Sequence, residues 1–245
     1  MQTIDRAMQI LHLLMKEEKP RNLSISEISK LTALPLSTTH RIISSLVQHG
    51  LLTQTSETKQ YSIGPRWVEY GLKVLEDSSL RTVALPVMKD MSKKLKESIY
   101  LSVPNGLYAI LIERVDSPSA VRVVDHLGAR NSMHLGAPNK IMLANYNPSE
   151  ALNIIKQLIS EKEVSKLMDL LPQLREQGYA ISRGDIHEGT IAVASPIIGL
   201  DQQVLGALCI NLLEYQTTNE RIIELTKEVI KGARQISSLV GAKSY

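Results

Sequence analysis

Pro35 interrupts two stretches of helical periodicity, and that break constrains the fold more than any other feature of the first third of the chain. Upstream, Ser24 stands three residues before Glu27, the spacing of a capping box, and Ile25, Ile28 and Leu31 recur on one side of a short helix. Proline removes a backbone donor and biases Leu34 away from helical geometry, so that helix ends within 32–36. Downstream, Ser37 is placed to cap a new helix whose apolar positions are Ile42, Ile43, Leu46 and Val47, with Thr39 one turn earlier. Gly50 supplies its C-terminal stop. A first amphipathic helix precedes both, built on Ile4, Ala7, Met8, Leu11, Leu14 and Met15, and gives way to a polar loop over 16–22. The expected unit is helix, tight turn, helix, with a further helix in front.

A hairpin completes this small domain. In "GLLTQTSETKQYSIG", two β-prone segments, 51–55 and 60–63, flank a polar tip at 56–59, the pattern of paired antiparallel strands. Gly64-Pro65 ends it, and Pro65 suits the first turn of a connector helix over 66–77, with Trp67, Tyr70 and Val74 on one face and Leu72 and Leu75 to the side. Another helix is expected near 80–96. Beyond residue 98 the pattern changes to strand-like runs at 99–103, 109–115 and 120–124, separated by the turn signals Asn105-Gly106 and Ser117-Pro118. Helices resume across 138–177. Two apolar strands, "TIAVASPIIG" and "VLGALCINLL", flank a turn at 201–203, and a last helix is expected near 217–240 on Ile222, Leu225, Val229, Ile236 and Val240. Strands and helices interleaved in this way predict an α+β or α/β second domain.

A hairpin directly after the second helix of such a pair makes a winged helix-turn-helix, in which that helix enters the major groove and the hairpin tip reaches the backbone. The outer face of the helix after Pro35 carries Ser37, Thr38, His40, Arg41, Ser44, Ser45 and Gln48, all hydrogen-bond donors and none acidic. Arginine can grip guanine in bidentate fashion, and Ser and Thr hold phosphate. The candidate DNA-contacting residues are therefore Ser37, Thr38, Thr39, His40, Arg41, Ser44 and Ser45, with Lys59 at the hairpin tip. The whole chain has a formal charge of only +3, too small to imply nucleic acid alone. Over 19–66, however, six basic residues face two acidic ones, a local +4. The plainer alternative, a three-helix scaffold with a solvated polar face, explains neither the hairpin nor the missing carboxylates. One such module makes few phosphate contacts, so usable affinity calls for a dimer on a double-stranded operator with two half-sites.

Other chemistry finds less support. The single cysteine, Cys209, excludes a disulfide framework and gives no zinc spacing, which fits a cytoplasmic setting. Asp5 and Arg6 break up the first apolar stretch, so it does not read as a signal peptide, and no apolar run reaches membrane-spanning length. His126, His134 and His187, with Asp125, Asp185 and Glu188, lack the tight spacing of a metal site, and solvated or hydrogen-bonded roles are expected for them. Cys209 lies in an apolar strand and reads as a core or pocket-wall residue. No nucleophile elbow, phosphate loop or paired carboxylate marks the second domain as an enzyme, and no cofactor is implied. A protein-binding winged helix would show apolar anchors where this one has hydroxyls and Arg41.

These residues resemble the IclR-type bacterial transcriptional regulators. "LPLSTTHRIISSLVQHGLL" is similar to the family's recognition-helix signature, "YSIGPRWVEYG" to its wing-to-linker passage, and "ESIYLSVPNGLYAILIERV" to the start of its effector domain. "HLGAPNKIMLA", "REQGYAISRGDIHEGTIAVASPI" and "LGALCIN" match later landmarks in order, so the likeness spans nearly the whole chain. It implies an α+β protein of two domains, with a winged helix-turn-helix at 1–64, a linker helix at 65–79 and a GAF/PAS-like effector-binding domain at 80–245. It further implies a homodimer or dimer of dimers that binds DNA, acts as a repressor of a catabolic or metabolic operon, and answers to a small organic effector, often a carboxylate. The pocket implied by the resemblance involves Gly136, Ala137, Ser182, Ala192, Cys209 and Asn211, with the Gly136 and Ala137 amides able to hold a carboxylate. The chain departs from the family pattern at Asn139-Lys140-Ile141, Ala192, Cys209 and Asn211, which leaves the effector's identity open.

Overall fold

A computed structural model describes residues 2–15, 22–119, 123 and 125–242. All but Val123 of the strand expected over 120–124, and most of the loop expected over 16–22, lie outside the described residues; Val123 itself is not in a strand. The chain divides into two units, Met1–Asp77 and Ser78–Tyr245.

The first unit contains α1 (Gln2–Met15), α2 (Ile25–Thr32), α3 (Leu36–Gln48), β1 (Leu52–Gln54), β2 (Tyr61–Ile63) and α4 (Arg66–Glu76). Its core is aliphatic: Ile10, Leu11 and Leu14 from α1, Ile28 from α2, Ile42, Ile43 and Leu46 from α3, and Leu52 from β1. The capping box at the start of α2 is present, with the Ser24 amide donating to Glu27 Oε2 at 2.7 Å and the Glu27 amide to Ser24 Oγ at 3.4 Å. α2 stops at Ala33, whose φ of 54° is left-handed, and Ser29 Oγ donates to the Leu34 carbonyl at 2.7 Å to hold the turn.

Ser37 does not cap α3. Helical geometry begins at Leu36, so Ser37 lies inside the first turn; Pro35 takes the cap position and, having no side-chain acceptor, caps no amide. At the other end Gly50, with φ +70°, donates to the Val47 carbonyl at 2.9 Å while Leu51 donates to Leu46, also at 2.9 Å. Only glycine takes that conformation without strain, so α3 passes directly into β1. β1 and β2 pair antiparallel, and Leu23 and Tyr61 exchange two backbone bonds of 3.1 and 2.8 Å, which ties the hairpin to the start of α2. Trp67 Nε1 donates to the Leu51 carbonyl at 2.9 Å and anchors the start of α4.

The second unit is built on α5 (Ser79–Leu95), β3 (Ser98–Asn105), β4 (Tyr108–Val115), β5 (Arg130–Ser132), α6 (Ala137–Ala144), α7 (Pro148–Lys156), α8 (Glu161–Gln177), β6 (Ala180–Arg183), β7 (Thr190–Ile198), β8 (Val204–Leu213) and α9 (Asn219–Ala242). Among the described residues, six strands form one sheet in the order β5-β4-β3-β8-β7-β6, and every neighbouring pair is antiparallel. That resolves the second domain as α+β, since an α/β sheet would be largely parallel. Strand alternation sends Ile99, Leu101, Leu208, Ile210 and Leu212 toward a core shared with α5 and α9. The opposite face carries Tyr100, Ala109, Leu111, Ala207 and Cys209 against α6, α7 and α8. The short edge strands β5 and β6 were not expected from the sequence.

Candidate functional site

Along α3 the burial has one period. Thr39, Ile42, Ile43 and Leu46 are buried, while Ser37, His40, Arg41, Ser44, Ser45 and Gln48 are exposed and Thr38 is half-buried. This corrects the expectation for Thr39. It is fully buried, and its Oγ1 donates to the Pro35 carbonyl at 3.1 Å, so it closes the turn into α3 and offers nothing to a partner outside. The exposed residues are almost free of internal partners. The one interaction among their side chains is a long Ser44 Oγ to His40 Nδ1 contact of 3.5 Å, and Arg41 makes no hydrogen bond or ion pair with a described residue. Lys59 sits at the hairpin tip with φ +56°, held by Gln54 Nε2 donating to its carbonyl at 3.2 Å, and its side chain is exposed. The result is a convex row of donors with no carboxylate on α3, the electrostatics that suit a polyanion.

The second cluster lies on the α6 side of the sheet. Cross-strand register places Ala192 beside Asn211 and Tyr100 beside Cys209. Cys209 is buried and its Sγ donates to Asn211 Oδ1 at 3.2 Å; burial, reinforced by the negative charge of Asp125, pushes its thiol up, away from nucleophilic chemistry. Asn211 Nδ2 donates to Asp125 Oδ2 at 3.0 Å, and Asp125 Oδ1 lies 2.7 Å from His187 Nε2. Tyr100 donates its hydroxyl to the Val123 carbonyl at 2.5 Å, and burial raises its phenol.

Gly136 caps α6 with φ +79°, and a Cβ there would lie 2.8 Å from Ile186 Cδ1. The two amides at this corner are engaged. Ala137 N donates to Ser182 Oγ at 2.9 Å, and Gly136 N donates to Asp185 Oδ2 at 3.1 Å, the same oxygen that pairs with Lys140 Nζ at 2.5 Å. Nearby, burial and the positive charge of Lys140 lower the His134 imidazole.

The structure therefore puts Ala192, Cys209 and Asn211 on one sheet face and Gly136, Ala137 and Ser182 at one corner. Sequence reasoning missed Tyr100, Asp125 and His187 as parts of this cluster, and treated Lys140 and Asp185 as a pattern departure and a metal candidate. No local signal could have joined them: Asp125 meets Asn211 across 86 positions, and Ala137 meets Ser182 across 45. Among the described residues no three His, Cys, Asp or Glu side chains could hold a metal ion; Asp125 and His187 pair with each other, and Asp185 pairs with Lys140.

Comparison with known proteins matches both halves. The model of the bacterial transcriptional regulator IclR C-terminal domain covers residues 72–238, and that of the IclR helix-turn-helix domain covers residues 3–56. The chain is 29% identical to the HTH-type transcriptional regulator KipR of Bacillus subtilis, over 98% of this chain and 97% of that one. An IclR transcriptional regulator from Alicyclobacillus acidocaldarius superposes with a TM-score of 0.83 at 19% identity, over 98% and 99% of the two chains. An IclR homologue from Microbacterium hydrocarbonoxydans, solved in complex with 4-hydroxybenzoate, superposes with a TM-score of 0.78 at 21% identity, over the same shares. With one family model spanning well over half of its length and a second covering its helix-turn-helix, the chain belongs to the IclR family of bacterial transcriptional regulators, and is a DNA-binding regulator and not an enzyme.

Proposed function

We propose that the chain represses a catabolic or metabolic operon in the cytoplasm by binding a two-half-site operator, and that a small organic carboxylate sets its DNA affinity. The observation that carries this reading is the outer face of α3: exposed donors almost free of partners among the described residues, over an apolar inner face that fixes the helix in place. Ser37, Thr38, His40, Ser44 and Ser45 serve as the phosphate and base-edge contacts around Arg41, and Lys59 meets the backbone from the wing.

The operator-bound species is a homodimer or a dimer of dimers. Support comes from α4, none of whose residues is buried, with Tyr70 and Val74 exposed on one side and Val68 and Leu72 on another; a second copy gives apolar side chains of this helix a partner and sets two recognition helices one half-site spacing apart. Domain limits of 1–64, 65–79 and 80–245 make α4 the linker. The effector site is the corner of Gly136, Ala137 and Ser182 with the sheet face of Ala192, Cys209 and Asn211. An effector that prefers one arrangement of the effector domains shifts DNA affinity by the ratio of its affinities for the two arrangements.

Fluorescence anisotropy with DNA from beside the chain's own gene, across a salt series, tests the core of this reading. Binding with a steep negative salt dependence and a footprint of two half-sites is the expected result. Salt-insensitive binding, or none, overturns it. A thermal-shift screen of organic acids tests the effector, and an acid that stabilises the chain without altering operator affinity overturns the switch.

A further inference from the structure

We propose that the loop between β6 and β7 is an internal stand-in for the effector, with Asp185 in the place of its carboxylate and His187 in the place of a hydrogen-bond donor; this rests on the proposal that the corner beside α6 is the effector site. The loop, residues 184–189, is closed at its base by the Gly184 amide donating to the Thr190 carbonyl at 2.9 Å, and its tip turns back over α6. There it makes three separate engagements. Asp185 Oδ2 takes the Gly136 amide and the Lys140 ammonium. Ile186 lies against Gly136, so closely that any side chain at 136 would meet it. His187 Nε2 sits 2.7 Å from Asp125 Oδ1, while the other oxygen of Asp125 takes Asn211 Nδ2.

One short loop thus brings a carboxylate to a cationic amide corner and, two residues later, a nitrogen to a carboxylate rooted elsewhere. An organic acid can enter this corner only by exchanging with those groups. Its carboxylate replaces Asp185 at Gly136 and Lys140, and the released Asp185, already partly exposed, is rehydrated. When His187 leaves, Asp125 keeps Asn211 but loses a partner, and a partly buried carboxylate short of a partner is costly. The ligand that exchanges with least loss therefore carries a hydroxyl or amine as well as a carboxylate. A hydroxylated acid is selected over its deoxy analogue, and the closed loop lowers apparent affinity by the fraction of molecules in which it is seated.

The test is calorimetry on the full chain with two acid pairs, glycerate against propionate and 4-hydroxybenzoate against benzoate. Wild type, Asp185→Ala, Asp185→Asn and His187→Ala are compared, each checked for fold by circular dichroism. Asp185→Ala is expected to bind at least one hydroxylated acid about tenfold more tightly than wild type, with Asp185→Asn between the two. His187→Ala, in which no acid has to break the His187–Asp125 contact, is expected to bind both members of a pair more tightly than wild type, with the hydroxylated member still the tighter of the two. A folded Asp185→Ala or Asp185→Asn chain that binds no acid more tightly than wild type overturns the proposal, and so does the absence of heat from every variant up to about 10 mM acid. Equal affinity for both members of each pair, in wild type and in the variants alike, overturns the donor role of His187. Operator affinity is measured separately: failure to bind DNA with the Asp185→Ala gain intact defeats the regulator reading alone, whereas normal DNA binding without the gain defeats only the stand-in.

Discussion

The outer face of α3 and the corner beside α6 are both polar surfaces laid over apolar cores, yet they treat their hydrogen-bonding groups in opposite ways. On α3 the donors point outward and are almost unpartnered, with only the 3.5 Å Ser44–His40 contact between them. At the α6 corner the Gly136 and Ala137 amides, the Asp185 and Asp125 carboxylates and the Lys140 amine each have a partner within the chain. Exposed donors cost little when water satisfies them, and a polyanion can replace that water without breaking a protein contact. A half-buried site cannot leave its groups unpaired, so it must satisfy them itself when no ligand is present. The first surface is open to its partner at all times; the second has to be opened.

The sharpest way to break this contrast is on α3. Replacing Arg41 with Ala removes an exposed side chain that makes no hydrogen bond or ion pair with a described residue, so stability should hold while specific operator binding weakens by about 1–3 kcal/mol, roughly five- to 150-fold. Anisotropy titrations of wild type and variant at one fixed salt concentration read this directly. A variant that binds the operator as wild type does would show that α3 is not the reading surface. Thr39→Val is the companion control: it deletes a buried donor to the Pro35 carbonyl, so any loss of DNA binding should follow its melting temperature.

How much of this could be read beforehand differs between the two surfaces for one physical reason. The α3 face is a local pattern, and a 3.6-residue period over thirteen positions reports it from sequence alone. Even the burial of Thr39 was visible in that pattern, because Thr39 lies three and four residues before Ile42 and Ile43 and so shares their buried face. Ser37 failed as a cap because Pro35 already holds the helix entrance. The α6 corner is assembled from segments far apart in the chain, and its pairings depend on a strand order that places β8 beside β3. Strands as short as β5 and β6 have too few residues to display a period. Composition and strand periodicity left α+β and α/β both open, the family resemblance implied α+β, and the antiparallel sheet shows it.

Gly136→Ala probes the closed surface. At φ +79° an L side chain is strained, and its Cβ would lie 2.8 Å from Ile186 Cδ1, so a cost of about 2 kcal/mol in stability is expected. If the loop over α6 relieves the clash by lifting away, exchange protection at Gly184 and Thr190 should fall as well, which hydrogen-exchange mass spectrometry resolves. A variant as stable as wild type, with the loop equally protected, would mean that the corner is looser than its contacts imply.

A smaller effect tests the frame that holds the open surface. The carboxyl of Glu27 is held below its ordinary value by hydrogen bonds from the Ser24 side chain and backbone. A depressed value means that the bond stabilises the folded chain at pH above the unfolded glutamate range, and that this is lost as pH falls through the folded value. Ser24→Ala should therefore lower stability slightly at neutral pH and flatten the acid limb of the stability curve. Glu163, held low in the same way by Ser160, keeps its own share of that limb in the variant. Parallel acid limbs in variant and wild type would show that the box contributes nothing in solution.

Lys59→Ala should produce the least change, and it is the finest test of how the open surface works. A lysine at a wing tip meets phosphate as a point charge and reads no base, so its loss should weaken specific and scrambled DNA by the same factor. Each phosphate contact releases close to one counterion, so the slope of log affinity against log salt should fall by about one for each protomer that engages DNA. Arg41→Ala should change the preference between operator and scrambled sequence as well as the affinity. If Lys59→Ala altered that preference, or left the slope untouched, the wing would have to be assigned a reading role or none, and the division of labour between α3 and the hairpin would need to be redrawn.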